Sequence, residues 1–213
     1  MKLNLPTKLT VARLILVPVC MFFIIYPVIP GDFVWRIVAA VIFLVTSLTD
    51  MLDGMLARKL NLVTDIDKLL DPLADKLLIA GALLAVLLRY GERTLHGVIE
   101  PSLSSSIEFV QTAPTLLLHL VCWSLFVTIA RELAVTQLRA IAAGREGKVI
   151  AAGMLGKAKT VTQMVAVIAL LVEPALPFDT SWAISYISVT AMTVLTVWSG
   201  VDYFRAFGDV FKK

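Results

Sequence analysis

The sequence predicts an all-α, polytopic membrane protein built as one bundle of six transmembrane helices, with both termini in the cytoplasm. The chain of 213 residues is 59% hydrophobic, and its mean hydropathy of +0.88 lies well above that of a soluble domain. Its apolar runs approach the roughly 20 residues that a bilayer requires. Because no internal repeat, low-complexity tract or long polar linker divides the chain, residues 1–213 are expected to form a single domain.

Glycine, proline and charged residues separate the apolar runs and set the predicted helix ends. Pro27 to Gly31 closes the first helix, while Glu173, Pro174 and Pro177 separate the last two. The predicted spans are approximately Leu9–Tyr26, Val34–Arg58, Lys68–Tyr90, Pro114–Ala143, Leu155–Val172 and Ser181–Phe207.

The distribution of basic residues predicts the orientation in the membrane. Cytoplasmic loops carry an excess of Lys and Arg. In a six-helix arrangement, the opposite side holds only Arg36, Arg89 and Arg93. The predicted cytoplasmic side holds Lys2, Lys8, Arg58, Lys59, Lys68, Arg145, Lys148, Lys157, Lys159, Arg205, Lys212 and Lys213. The net charge of +3 thus reflects membrane topology, and no basic stripe with interleaved aromatic residues suggests a nucleic-acid partner.

Carboxylates are concentrated between the second and third apolar runs, where acids are costly and usually functional. Asp50 and Asp53 lie about one turn apart on the second helix, and Asp71 and Asp75 lie about one turn apart on the third. If these helices are antiparallel neighbours, the four acids converge on one pocket and repel one another strongly. Because Mg²⁺ prefers carboxylate oxygens, two divalent cations would offset the four charges.

The spacing of these acids resembles the signature of the CDP-alcohol phosphotransferase family. That signature reads Asp-x2-Asp-Gly-x2-Ala-Arg, then eight residues, then Gly-x3-Asp-x3-Asp. The positions that match it in type and spacing are Asp50, Asp53, Gly54, Ala57, Arg58, Asp71 and Asp75. Asp67 replaces the second glycine and adds charge and bulk beside the expected metal site, so an inactive family member is one alternative.

The resemblance implies roles for the motif residues. The four acids would hold two divalent cations, Mg²⁺ or Mn²⁺, on the diphosphate of a CDP-linked substrate, and Asp75 is also the candidate general base. The opening NLPTKLTVAR is similar to the family's Asn-x-Pro-x3-Thr-x2-Arg start, where a short interfacial helix covers the nucleotide site. The implied nucleotide-binding residues are Asn4, Thr10, Gly54, Ala57 and Arg58.

A second segment, RELAVTQLRAIAAGREGKVIAAGMLGKAKTVTQ, resembles the corresponding part of the bacterial phosphatidylglycerophosphate synthase branch of this family. That branch transfers a phosphatidyl group from CDP-diacylglycerol to sn-glycerol 3-phosphate and releases CMP. An anionic acceptor needs cations, and the candidates for binding its phosphate are Arg131, Arg139, Lys157 and Lys159. Serine or inositol phosphate as the acceptor is the alternative within the family.

The resemblance also implies partners and a location. Members of the family are typically homodimers, so we expect a homodimer in the inner (cytoplasmic) membrane, with the lipid bilayer as surroundings and the active site facing the cytoplasm. A transporter is the alternative from another class, because intramembrane carboxylates also mark ion pathways. Against it, the acids cluster near one face of the membrane and no inverted repeat is visible.

Overall fold

Six long α-helices, with no strand in the described ranges, form the fold. The computed structural model describes the backbone of residues 5–27, 32–60, 65–99, 114–146, 154–178 and 180–207. It describes the side chains of residues 10–27, 33–49, 70, 73–74, 76–91, 114–141, 154–178 and 180–206. The helices are α1 (Leu5–Ile25), α2 (Asp32–Leu60), α3 (Asp65–Ile99), α4 (Thr115–Glu146), α5 (Met154–Val172) and α6 (Ala183–Phe207).

The six helices follow the predicted segments, with two differences at their ends. Helix α1 begins at Leu5, so the described part of the expected N-terminal interfacial segment continues the first helix instead of forming a separate element. Helix α3 runs on to Ile99, well past the predicted end at Tyr90. Gly91 alone does not end it, because a glycine inside a helix costs only about 1 kcal/mol relative to alanine.

The hydropathy of the helices identifies a membrane protein. Among the described residues, three helical segments are long and apolar enough to cross a bilayer: Thr115–Ile141, Met154–Ala175 and Ala183–Ala206. Two shorter apolar segments, Thr10–Ile25 and Phe33–Thr49, lie in α1 and α2. The count of six spans and the cytoplasmic placement of the termini stay predictions.

Helix α1 packs mainly against α3, and small residues bring the two helices close together. Helices α4 and α5 both pack against α6, and α2 also contacts α5. At the α1–α3 contact, a Cβ atom added to Gly81 would lie 2.9 Å from the Met21 sulfur and 3.5 Å from a Val17 methyl. The absence of a side chain at Gly81 therefore sets how closely α1 approaches.

We call the end of the bundle where α2 ends and α3 begins the acidic end, and we call the other end the opposite end. Buried polar side chains at the opposite end join α1, α2, α3 and α5 by hydrogen bonds. Arg89 donates from Nη1 to the Ile24 carbonyl oxygen at 2.9 Å, and the Tyr90 hydroxyl donates to the Leu170 carbonyl oxygen at 3.0 Å. Arg36 donates to the same hydroxyl and lies 5.5 Å from the centre of the Tyr90 ring.

A buried carboxylate joins α5 to α6 at the opposite end. Glu173 lies in a short 3₁₀ turn after α5. Its side chain accepts hydrogen bonds from the Thr180 hydroxyl at 2.5 Å and from the backbone amides of Ile184 at 3.0 Å and Ser185 at 2.6 Å. Trp182, between them, has a left-handed φ of 61° and a buried side chain. The carboxylate thus satisfies the first amides of α6, as an N-terminal cap does.

The close α1–α3 contact predicts that Gly81→Leu destabilises the protein. The new side chain has to displace Met21 and Val17, and overpacking of this kind costs about 1–3 kcal/mol. Gly91→Leu in the same helix is the matched control, because no described atom lies within 4 Å of its added Cβ. The midpoint of thermal unfolding in one detergent measures both variants. We expect a lower midpoint for Gly81→Leu alone, and equal midpoints would contradict the packing argument.

Candidate active site

The four motif acids lie on the two helices that meet at the acidic end. Asp50 and Asp53 are in α2, and Asp71 and Asp75 are in α3. The two helices contact each other, and the convergence of the four acids on one pocket stays a prediction. The side chains of these four acids lie outside the described residues. Among the side chains that the structure does describe, no group of three or more His, Cys, Asp and Glu could hold a metal ion.

The nucleotide-binding candidates are mostly outside the described part of the chain. Thr10 is described, and its side chain is buried on α1. Asn4 precedes the first described residue. The motif positions on α2 and α3 whose side chains are also outside the described set are Gly54, Ala57, Arg58 and Asp67.

Three hydroxyls on α2 lie directly before the motif. Thr46, Ser47 and Thr49 each donate a hydrogen bond to the backbone carbonyl four residues earlier, at 2.8 Å in all three cases. The three hydroxyl groups therefore have hydrogen-bond acceptors within α2 itself and need none from apolar neighbours. Back-bonding of this kind slightly weakens the helix and favours a local bend.

A buried ion cluster between α4 and α5 centres on Glu132. Arg131 Nη1 lies 3.0 Å from Glu132 Oε1, and Lys159 Nζ donates to the same oxygen. The three side chains are largely buried: the exposed fraction of the side chain is 10% for Arg131, 16% for Glu132 and 9% for Lys159. Gly200 of α6 leaves room for the arginine, since a Cβ atom there would lie 3.1 Å from Arg131 Cγ. The predicted acceptor residues Arg131 and Lys159 are thus brought together.

A third cation reaches this cluster from α3. Lys76 Nζ donates to the Thr136 hydroxyl, and that hydroxyl donates at 2.7 Å to the Glu132 carbonyl oxygen. A hydroxyl has one proton and two lone pairs, so it serves both contacts at once. Lys76 directly follows Asp75 in the chain. The cluster therefore joins α3, α4 and α5 beside the start of the acidic motif's second helix.

Lys157 and Lys159 lie on different faces of α5. Counted over the whole residue, Lys159 is 7% exposed and therefore buried, whereas Lys157 is an exposed residue. Two residues correspond to about 200° of rotation on a helix, so the two side chains cannot enter the same interior space. Only Lys159 of this pair faces the α4–α5 interior.

Arg139 is held by α6. Its Nε donates to the Tyr203 hydroxyl at 2.7 Å, and the guanidinium lies 4.9 Å from the centre of the Tyr203 ring. Arg139 is exposed and lies two turns beyond Glu132 on α4. It is therefore separate from the buried Glu132 cluster in the state that the structure describes.

The sequence model of the family described as CDP-alcohol phosphatidyltransferase matches residues 3–198 of the chain. The protein belongs to this family. The match includes every acid of the motif and the whole Glu132 cluster. Membership in the CDP-alcohol phosphatidyltransferase family confirms the family predicted from the motif spacing.

Curated relatives are similar over nearly the whole chain. A Bacillus subtilis (strain 168) protein named CDP-diacylglycerol–glycerol-3-phosphate 3-phosphatidyltransferase is 39% identical over 98% of this chain and 97% of its own length. A Salmonella typhimurium (strain LT2) protein of the same name is 34% identical over 97% of this chain and 96% of its own length. A Yersinia pestis (strain Pestoides F) protein of that name is 32% identical over the same shares.

Sequence reasoning missed two residues at this cluster, Lys76 and Thr136. Lys76 had a usable signal, because it is a charged residue at the edge of an apolar run and directly follows a motif acid. Thr136 had no such signal, since threonine is unremarkable on a helix and its partner is 60 residues away in the chain.

The contact between Arg139 and Tyr203 predicts a graded loss of stability. Tyr203→Phe removes a hydrogen bond worth about 0.5–1.5 kcal/mol, and Tyr203→Leu also removes a cation–π contact worth about 0.5–1 kcal/mol. We expect the midpoint of thermal unfolding to fall in that order. Phe204→Leu, at an exposed neighbouring position, is the control and is expected to match the wild type. Indistinguishable midpoints for the two Tyr203 variants and the control would show that the contact contributes nothing.

Proposed function

We propose that this protein transfers the phosphatidyl group from CDP-diacylglycerol to sn-glycerol 3-phosphate, giving phosphatidylglycerophosphate and CMP. The observation that carries the proposal is the near full-length similarity to proteins named for this reaction, at 39% identity for the Bacillus subtilis relative. These relatives are transferases by name, so the alternative of a transporter is set aside.

The charge of the Glu132 cluster supports an anionic acceptor. Arg131, Lys159 and Lys76 bring three positive charges, and Glu132 brings one negative charge. Three basic side chains thus lie in this cluster or at its edge, where charge-assisted hydrogen bonds can hold a phosphate group. A choline or ethanolamine acceptor would be repelled by the same side chains.

The chemistry of the motif's donor set fits hard divalent cations. Asp50, Asp53, Asp71 and Asp75 offer only carboxylate oxygens, which are the ligands that Mg²⁺ and Mn²⁺ prefer. These four residues would hold two such ions. When bound, the ions reduce the charge on the diphosphate and stabilise CMP as the leaving group.

The chain's own residues bind the substrates and move the proton. Asp75 accepts the proton of the acceptor's primary hydroxyl while that oxygen bonds to the phosphorus of the phosphatidyl group. The bond from this phosphorus to the CMP oxygen breaks, and CMP leaves with the bonding electrons. The nucleotide is contacted by Asn4, Thr10, Gly54, Ala57 and Arg58.

The acceptor's phosphate is bound by basic residues of different character. Arg131 and Lys159 lie in the buried cluster and are suited to direct contact. Arg139 and Lys157 are exposed and attract the anion from the aqueous side. On the positive-inside argument, this side is the cytoplasmic face of the inner membrane. We expect the protein to act there as a homodimer.

Release of CMP tests the reaction and the acceptor together. Purified protein in detergent is mixed with CDP-diacylglycerol and Mg²⁺ or Mn²⁺, and glycerol 3-phosphate, serine or inositol phosphate is added separately. We expect release with glycerol 3-phosphate only. Asp75→Asn is expected to lower turnover by about 10²–10⁴-fold, the usual contribution of a general base. Release with another acceptor, or substantial turnover by Asp75→Asn, would contradict the acceptor or the base assignment respectively.

The different burial of the two α5 lysines predicts different kinetic effects. Lys159→Met is expected to raise the KM for glycerol 3-phosphate roughly ten- to hundredfold, because a charged hydrogen bond to phosphate is worth about 1.5–3 kcal/mol. Lys157→Met is expected to raise this KM less, with an effect that disappears at high salt. The KM for CDP-diacylglycerol is measured in parallel and should stay near that of the wild type. Equal effects on both substrates would argue against a role in acceptor binding.

A further inference from the structure

The contact between Arg139 and Tyr203 lies near the ends of two membrane-crossing helices. Arg139 is 24 residues after Thr115, the first residue of α4, and Tyr203 is 20 residues after Ala183, the first residue of α6. At 1.5 Å per residue these separations are about 36 Å and about 30 Å, and the hydrocarbon core of a bilayer is about 30 Å thick. Both side chains are therefore expected where the hydrocarbon gives way to headgroups and water.

Two contacts fix the guanidinium group of Arg139. Its Nε donates to the Tyr203 hydroxyl at 2.7 Å, and its central carbon lies 4.9 Å from the centre of the Tyr203 ring. A single hydrogen bond would let the group turn about the bond axis, but the ring contact restricts that turning as well. One side chain of α6 thus sets the orientation of a cation on α4.

These contacts leave the terminal edge of the guanidinium group unused. Arginine has five N–H donors, one on Nε and four on Nη1 and Nη2. Within the described residues, Arg139 makes no hydrogen bond or ion pair other than the one from Nε. Arg131 differs, because its Nη1 is paired with Glu132. Arg139 therefore keeps the pair of parallel N–H groups that can bind two oxygens of one phosphate.

The chemistry of the partner distinguishes this contact from a structural ion pair. A carboxylate would hold Arg139 and also neutralise it, whereas the tyrosine hydroxyl orients the guanidinium group and leaves its charge in place. Anchoring at a membrane surface requires neither contact, because a long arginine side chain reaches the aqueous boundary by itself. The arrangement fits an arginine that is oriented for a ligand.

We propose that Tyr203 is a positioning residue that orients Arg139 so that Nη1 and Nη2 bind two oxygens of one phosphate group at the membrane surface. The phosphate belongs either to the acceptor or to a lipid headgroup, and the two sources share the same chemistry. In the case of the acceptor, the inference rests on the proposed function and adds Tyr203 and a direct bidentate contact to it.

Kinetics of Tyr203→Phe test the positioning role for the acceptor. This variant keeps the ring and removes the hydroxyl, and we expect the KM for glycerol 3-phosphate to rise about two- to tenfold, as one lost hydrogen bond predicts. The kcat and the KM for CDP-diacylglycerol are expected to change less than about twofold. Tyr26→Phe is the matched control, because it removes an exposed hydroxyl that has no described hydrogen bond. Equal acceptor KM values in the two variants would exclude the acceptor as the source of the phosphate.

A double-mutant cycle shows whether Tyr203 acts through Arg139. Arg139→Lys keeps the positive charge but removes both Nε and the planar fork. If the role of Tyr203 is to orient that fork, Tyr203→Phe adds much less to the acceptor KM in the Arg139→Lys background than in the wild type. Multiplication of the two single effects would overturn the positioning role.

Stabilisation by ligands separates the two sources of phosphate and needs no turnover. The thermal midpoint of the purified protein in detergent is measured with glycerol 3-phosphate, and with glycerol as its uncharged counterpart. Phosphatidate is compared with diacylglycerol in the same way. We expect Tyr203→Phe and Arg139→Lys to reduce the midpoint rise caused by one of the two phosphate-bearing ligands, and the ligand affected identifies the source. Undiminished rises with both ligands in both variants would overturn the proposal.

Failure of the proposed function gives a different result from failure of this inference. If the proposed function is wrong, the wild type releases no CMP with glycerol 3-phosphate, while a midpoint rise with phosphatidate that depends on Arg139 and Tyr203 still supports phosphate binding. Normal CMP release, together with KM values and midpoint rises that do not depend on either residue, would overturn the inference alone.

Discussion

A charged side chain that leaves water for an apolar helix bundle has to find its counter-group inside the protein, and this constraint shapes both ends of the molecule. At the opposite end, Arg36 and Arg89 are paired with a tyrosine hydroxyl and a backbone carbonyl. Near the acidic end, Arg131 and Lys159 share one carboxylate. Hydrocarbon packing fills the space between these two polar layers. The polar contacts therefore fix which helices are neighbours, whereas the apolar contacts fix how closely they approach.

The two polar layers differ in what joins their helices. At the opposite end, Glu173 accepts three hydrogen bonds from Thr180 and the start of α6, and the Tyr90 hydroxyl and ring contact a neighbouring arginine. Near the acidic end, one carboxylate oxygen of Glu132 pairs with Arg131 from its own helix and with Lys159 from α5. Hydrogen bonds to a carboxylate and to backbone carbonyls thus join the helices at one end, and an ion pair joins them at the other.

Most of the fold was predictable because membrane helices are encoded locally. A long apolar run bounded by glycine, proline or charge predicts a helix with little need for tertiary information. The main error is the end of α3, which was predicted at Tyr90 and lies at Ile99, beyond Gly91 and several polar residues. The apolar run ends near Tyr90, but a helix can continue through polar residues and one glycine at small cost. The family was predictable from the spacing of the acidic motif for a similar reason. Lys76 and Thr136 were missed because their meeting depends on the register of α3 against α4, which no local pattern specifies.

The carboxylate at the end of α5 has a consequence for the way the protein enters the membrane. All three of its partners lie seven to twelve residues further along the chain, between Thr180 and Ser185. These three groups can donate to the Glu173 carboxylate once α5 and α6 form a helical hairpin, and the contacts need no other helix. Contacts this local form early and with little loss of chain entropy. The last two helices are therefore able to insert as one unit, with the buried Glu173 carboxylate already satisfied by hydrogen bonds from its own hairpin.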